Sequence, residues 1–155
     1  MKAPNAKAWP PRATRRMHSG VSLIEALVAL LVLSIGLLGL ANLQLTAIRN
    51  AHSAHLRSQA SILAQDILDR MRANRANATA YAITLSATAP TGSAVSDQDL
   101  ADWLKALATN LPQGDGAISV AVGGNTTTVT VTIRWDDSRG LDGSTTQTWT
   151  YSTEL

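Results

Sequence analysis

An α+β fold, with a long N-terminal helix packed on a small C-terminal antiparallel sheet, is predicted by three features of this sequence. Residues 21–41 form one apolar run broken by a single charge, Glu25. No proline occurs between Pro11 and Pro90 and no glycine between Gly39 and Gly92, so nothing stops a helix soon after that run. Beyond Gly116, β-branched and aromatic residues alternate with small or polar ones at a period of two. A chain of 155 residues has room for one modest domain plus an elongated element.

The first 20 residues carry Lys2, Lys7, Arg12, Arg15 and Arg16 and no acid. The other eight of the thirteen basic residues face all eleven acidic ones, so the remainder carries about three net negative charges. Basic character confined to a leader is no sign of nucleic-acid binding, and no direct nucleic-acid partner is expected. The chain has no cysteine, which excludes a disulfide framework and a thiolate metal site. Its domain must rely on an apolar core.

Residues 21–41 read VSLIEALVALLVLSIGLLGLA, long enough to cross a bilayer as a helix. Positive charges just before the run keep the N-terminus in the cytoplasm. The expectation is a single-pass inner-membrane protein with its head in the periplasm. An ordinary secretory signal would have a shorter apolar region, about 7–15 residues, although Gly39-Leu40-Ala41 has the form of a cleavage site. A plain membrane anchor gives no account of Glu25. An unpaired carboxylate facing lipid costs about 2.5–3.5 kcal/mol on insertion scales, so such a residue usually has a partner or a function.

The stretch Gly20-Val21-Ser22-Leu23-Ile24-Glu25 resembles the type IV prepilin processing motif, normally Gly-Phe-Thr-Leu-Ile-Glu. The resemblance implies a pilin fold, a basic leader over residues 1–20, and cleavage between Gly20 and Val21 by a prepilin peptidase/methyltransferase on the cytoplasmic side. It also implies N-methylation of the new terminus at Val21. Glu25 would then pair with the terminal amine of a neighbouring subunit during assembly, two groups that in a low-dielectric setting each supply what the other lacks. Val21 stands where the motif has phenylalanine, and Ser22 where it has threonine. Gly36 and Gly39 each weaken a soluble helix by about 1 kcal/mol relative to alanine. Members of the family unwind locally in this region in the filament, which implies a flexible spot here.

Past Ala41 the chain turns polar while keeping helical spacing. Leu56, Ala60, Leu63, Ile67 and Met71 recur at intervals of three and four and mark one apolar stripe. The expected spine helix covers residues 21–76, with its membrane half at 21–41 and its end within 74–79. Asp66 and Arg70, four apart, suit a surface ion pair. His52 and His55 lie three apart, but two histidines without a third ligand make no metal site. No metal and no cofactor are expected.

The head, residues 77–155, opens with an Ala/Thr/Ser-rich stretch read as a loop over 78–96. Ser96-Asp97-Gln98-Asp99 has the form of a helix-start cap. Leu100, Trp103, Leu104, Leu107 and Leu111 follow at helical spacing, giving a short helix at about 97–110 with Trp103 in the core. Residues 112–116, PQGDG, stop it. Strands are expected over about 117–152. In the first, Ile118, Val120 and Val122 alternate; Gly123-Gly124-Asn125 then makes a hairpin turn. In the second, Val129, Val131, Ile133 and Trp135 share one face and Thr128, Thr130, Thr132 and Arg134 the other. Trp149 and Tyr151 share a face of the last. One face of this sheet is left to pack on the spine.

Leu63-Ala64 with Asp69-Arg70-Met71-Arg72-Ala73-Asn74 is similar to the late-helix signature of PilV-type minor pilins. So is the order Trp103, Leu111-Pro112, Gly114-x-Gly116, then a Val/Ile strand ending in Trp135. The resemblance implies a low-abundance subunit that joins other minor pilins and pilus subunits to prime or organise a type IV pilus, with cell adhesion, twitching motility and DNA uptake depending on it indirectly. Its other contacts would be the processing enzyme and inner-membrane lipid. Two alternatives stay open: a minor pseudopilin of a type II secretion system, and a single-pass envelope protein with a binding or sensing head. No enzyme is expected, because the acids of the head fall in turns and at a helix start, with no nucleophile–base pair or phosphate loop. Residues 136–143, DDSRGLDG, depart from the spacing of a calcium loop and read as a solvated turn.

Overall fold

The computed structural model describes residues 20, 22–124, 126–140 and 143–155. The leader up to residue 19, Val21, Asn125 of the expected hairpin turn, and residues 141–142 lie outside the described residues. The element order is α1 (Leu23–Ala73), a 3-10 turn (Arg75–Tyr81), α2 (Val95–Asn110), β1 (Asp115–Gly123), β2 (Thr126–Trp135) and β3 (Gln147–Glu154). This is the predicted α+β architecture, a long apolar N-terminal helix with a small antiparallel sheet. The chain divides into two compact units, the first ending at Leu40 and the second running from Ala41 to Leu155. In the first unit every described residue is exposed.

The core lies wholly in the second unit. Leu56, Ala60, Leu63, Ala64, Ile67, Leu68 and Met71 are the buried residues of α1, and their spacing of three and four is why one face suffices. β2 is the central strand, antiparallel to β1 on one side and β3 on the other. Its Val129, Val131, Ile133 and Trp135 are buried, whereas the intervening threonines and Arg134 are not. The β-branched side chains suit a pleated, half-buried surface. Leu100, Trp103 and Leu107 complete the core from α2. Trp103 is fully buried and donates its Nε1–H to the carbonyl of Leu63 at 2.9 Å, which satisfies the indole and fixes α2 against α1.

Two glycines let β1 enter beneath α2. A Cβ on Gly116 would meet the Trp103 ring and come within 2.7 Å of Leu107 Cδ1. One on Gly114 would meet the backbone carbonyl group of Leu107. The Gly-x-Gly spacing seen in the sequence thus reflects close approach of backbone to helix. Leu111 ends α2 with an N–H bond to the Leu107 carbonyl at 2.9 Å, and Pro112 follows where a helix cannot continue.

Two local expectations are corrected. The stretch 78–96 is not simply a loop: a 3-10 turn occupies Arg75–Tyr81, and Ile83 exchanges two backbone hydrogen bonds with Ile118 of β1, at 3.0 and 2.8 Å. Tyr81 is fully buried, so this turn is held by tertiary packing that local composition does not encode. Nor does Ser96 cap α2. The helix starts at Val95 with Ala94 in the cap position and no side-chain cap. The Ala94 carbonyl accepts from Asp97 at 3.0 Å and Gln98 at 3.1 Å, while Ser96 is buried one residue inside the helix.

Candidate processing and assembly site

Gly20 and Ser22 precede the helix and are exposed, and among the described residues nothing lies within 4 Å of the position a Gly20 Cβ would take. Val21, predicted as the mature terminus, lies outside the described residues. Helix α1 begins at Leu23 because Ser22 starts it. The Ser22 Oγ accepts the backbone N–H of Glu25 at 3.2 Å, and the Ser22 carbonyl accepts that of Ala26 at 3.1 Å. Serine followed three residues later by glutamate is the capping-box pairing of residue types. The residues of the proposed processing motif therefore also mark the helix boundary, leaving the Gly20–Val21 bond before helical structure begins.

Glu25 sits in the first turn of α1, exposed, where the positive end of the helix dipole favours a carboxylate. None of the ion pairs among the described residues includes it. The other polar side chains of this segment behave differently. Ser34 donates its hydroxyl to the Leu30 carbonyl at 2.7 Å, and Thr46 does the same to Asn42 at 2.9 Å. Both hydroxyls are satisfied within their own helix, as an apolar surrounding demands. Among the described residues the Glu25 carboxylate makes no hydrogen bond and no ion pair. From Leu23 the helix is long and apolar enough to cross a membrane and runs unbroken through Gly36 and Gly39.

Elsewhere the polar side chains join elements. Arg70 donates Nε to Asp66 at 3.1 Å and an Nη to Asp99 of α2 at 3.2 Å. Tyr81 donates its hydroxyl to the other Asp99 oxygen at 2.6 Å and accepts from Asn74 at 3.2 Å. Burial, followed by the hydrogen bond to the Asp99 carboxylate, pushes the Tyr81 phenol above its ordinary pKa. Desolvation works against the charged form of Arg70, but its bonds and proximity to Asp99 and Asp66 outweigh that and raise its pKa. Sequence reasoning found the Asp66–Arg70 pair and missed Tyr81 and Asp99, whose partners are distant in sequence.

On the other edge, Arg134 donates to Asp115 at 2.8 Å and to the Ser86 hydroxyl at 3.0 Å, while the Ser86 N–H bonds Asp115 at 2.9 Å. This holds residues 84–87 beside the sheet and leaves a groove of about 780 Å³ lined by Ile83, Leu85, Ala117, Ser119, Thr130 and Thr132, among others. It contains no titratable side chain. His52 borders a separate recess with Asp136 and Arg139, while His55 is exposed. Among the described residues no three of His, Cys, Asp and Glu come together as a metal site would need.

Comparison with known families gives two adjoining matches. The prokaryotic N-terminal methylation motif matches residues 15–41, the segment containing Gly20, Val21 and Glu25. The Tt1218-like family, described as type IV pilin Tt1218, matches residues 42–106, covering the rest of α1, the 3-10 turn and most of α2. No curated protein and no solved structure matches the chain.

Proposed function

Because this chain belongs to the type IV pilin-like family, we propose that it is a PilV-type minor pilin that helps to prime or organise a type IV pilus together with other minor pilins. The observation that carries the reading is Glu25, a carboxylate in the first turn of an apolar helix with no cation beside it among the described residues. In lipid such a carboxylate calls for a cationic partner, and an ammonium would serve. Cleavage after Gly20 would create that group on every subunit, at Val21, next to the membrane helix that the mature chain keeps. Methylation of Val21 leaves the amine protonated and able to pair.

In this account the basic leader holds the precursor with its N-terminus in the cytoplasm until the cut, and α1 anchors the mature subunit in the inner membrane with the head in the periplasm. The head acts in this reading as a structural module. Its polar clusters tie elements together, and the family matches support a structural subunit. The subtype reading rests on the likeness of Leu63-Ala64 and residues 69–74, and of the Trp103, Gly114, Gly116 and Trp135 order; of these Leu63, Ala64, Met71, Trp103 and Trp135 lie in the core, whereas Asp69, Arg72 and Ala73 are exposed.

The role is tested by crosslinking in the native host followed by affinity capture. A minor pilin is recovered with other minor pilins of the pilus, and deletion of its gene lowers the number of surface pili. Recovery with the pseudopilins of a type II secretion system instead, with piliation unchanged, replaces the pilus role by the secretion one.

A further inference from the structure

We propose that Arg49, with Arg57 and Arg139 adding to the local positive field, binds the phosphates of anionic phospholipids in the leaflet from which the head emerges. Between Glu25 and Asp66 the chain has no acid; Arg49 and Arg57 are its only arginines or lysines there, with His52 and His55 between them. Both arginines are exposed and enter no ion pair among the described residues, whereas Arg70, Arg72 and Arg134 are each answered by an aspartate. Membrane topology gives no reason for them, because cations beside a span are concentrated on the cytoplasmic side and sparse on the other.

The neighbouring side chains set the level of Arg49. Leu43, Leu45 and Ile48 are large, apolar and exposed, so apolar surface is presented up to the residue before Arg49. Such surface gains by leaving water, which places Arg49 where hydrocarbon gives way to headgroups. Side chains on a helix lean toward its N-terminus, here toward the membrane. The arginine stem can lie along apolar surface while its planar guanidinium meets a phosphate through two parallel hydrogen bonds. The fold adds a cation that the sequence does not place. Arg139 lines a recess of about 320 Å³ with His52, Gln113 and Ser138, and a Cβ on the adjoining Gly140 would meet Ser53 Oγ of α1.

A second copy anchored at the same depth offers these arginines little. Its own stretch 42–65 has no acid, its Asp137 is buried, and its Asp136 is half-buried with one oxygen accepting the Ser138 N–H at 2.8 Å. Lipid phosphates surround every anchored copy at this level, whatever its neighbours. A phosphatidylglycerol headgroup carries no ammonium to cancel its charge, which favours it over a zwitterionic lipid. The inference rests on the anchored-subunit reading for placing this stretch at a membrane surface.

The cysteine-free chain accepts a single label at Leu45→Cys, one turn below Arg49 on the same side of α1. The full chain is extracted from membranes of its native host, labelled there with bimane, and reconstituted into phosphatidylcholine vesicles holding a minor fraction of phosphatidylglycerol. Acyl-chain bromines, which quench only a nearby label, are carried by one lipid or the other at equal mole fraction. Brominated phosphatidylglycerol should quench as if enriched about fivefold at the label, the factor for one basic residue at an anionic surface. Arg49→Gln should bring the two quenchers to parity, and high salt should shrink the difference. Arg49 lies outside the core, so the thermal transition of the head should stay in place. Equal quenching with Arg49 present, or enrichment that survives Arg49→Gln, overturns the proposal. Equal quenching together with poorer recovery of neighbouring subunits in Arg49→Gln also overturns it, and assigns the guanidinium to a protein. Flotation of the same vesicles reads the anchoring separately. A chain that fails to float contradicts the anchored reading, whereas one that floats without enrichment contradicts the headgroup contact alone.

Discussion

At Gly116 the chain has no room for a side chain. A Cβ there would press on Trp103 and Leu107, both fully buried and neither free to withdraw. Overpacking of this kind costs about 1–3 kcal/mol, so Gly116→Ala should lower the thermal midpoint of the detergent-solubilised protein, followed by tryptophan fluorescence. Trp103→Ala removes a fully buried indole and its bond to Leu63, with an expected loss of about 3–5 kcal/mol. At the other end of the chain the consequences are functional. Gly20→Val should leave uncleaved precursor, visible as a larger band in membranes, because the proposed cut follows this residue. Glu25→Ala should spare cleavage yet reduce recovery of the subunit in the crosslinked assembly complex, because the proposed charge pairing between subunits is lost. Undiminished recovery would leave the exposed acid in an apolar helix unexplained.

Among the elements, the join between α1, the 3-10 turn and α2 depends on Asp99, which accepts from both Tyr81 and Arg70. Tyr81→Phe removes one donor and should cost about 0.5–1.5 kcal/mol. The pH dependence follows from the raised phenol pKa. Below about pH 10, the ordinary value for tyrosine, the phenol is protonated whether the chain is folded or not and its contribution is complete. As pH rises from there through the higher folded value, unfolding releases a proton and that stability is lost. Thermal midpoints measured from pH 8 to 11 should fall more steeply for the native chain than for Tyr81→Phe. The elements built on strict periodicity were legible beforehand: the Leu56–Met71 stripe repeats at helical spacing, and the residues of β2 alternate between core and solvent. What escaped depends on contacts remote in sequence. Tyr81 finds Asp99 across 18 residues, and Ile83 finds Ile118 across the whole of α2. Ser96 misled because a capping pattern can sit one residue inside a helix whose start Ala94 determines. The proposed site is read by a different route: Gly20 and Glu25 stand out through position between a basic leader and an apolar run, whereas the role of Ser22 in starting α1 needed the structure.

For the whole molecule, the two units answer to different solvents. The core formed from Leu56 onward buries apolar side chains against one another, while residues 22–40 bury none and are apolar enough to gain from lipid what the head gains from its core. Removal of the leader would take five positive charges from the chain and leave about three net negative ones, so processing alters the charge of the molecule as well as its terminus. Processing is also the event on which the assembly account depends, because without a new amine at Val21 there is nothing for Glu25 to pair with. The most direct measurement is therefore the mass of the N-terminal peptide of the protein extracted from membranes of its native host. The account predicts a chain that begins at Val21 and carries one methyl group on its amine. A chain that still begins at Met1, or one that begins at Asn42 after loss of the apolar segment, would contradict it.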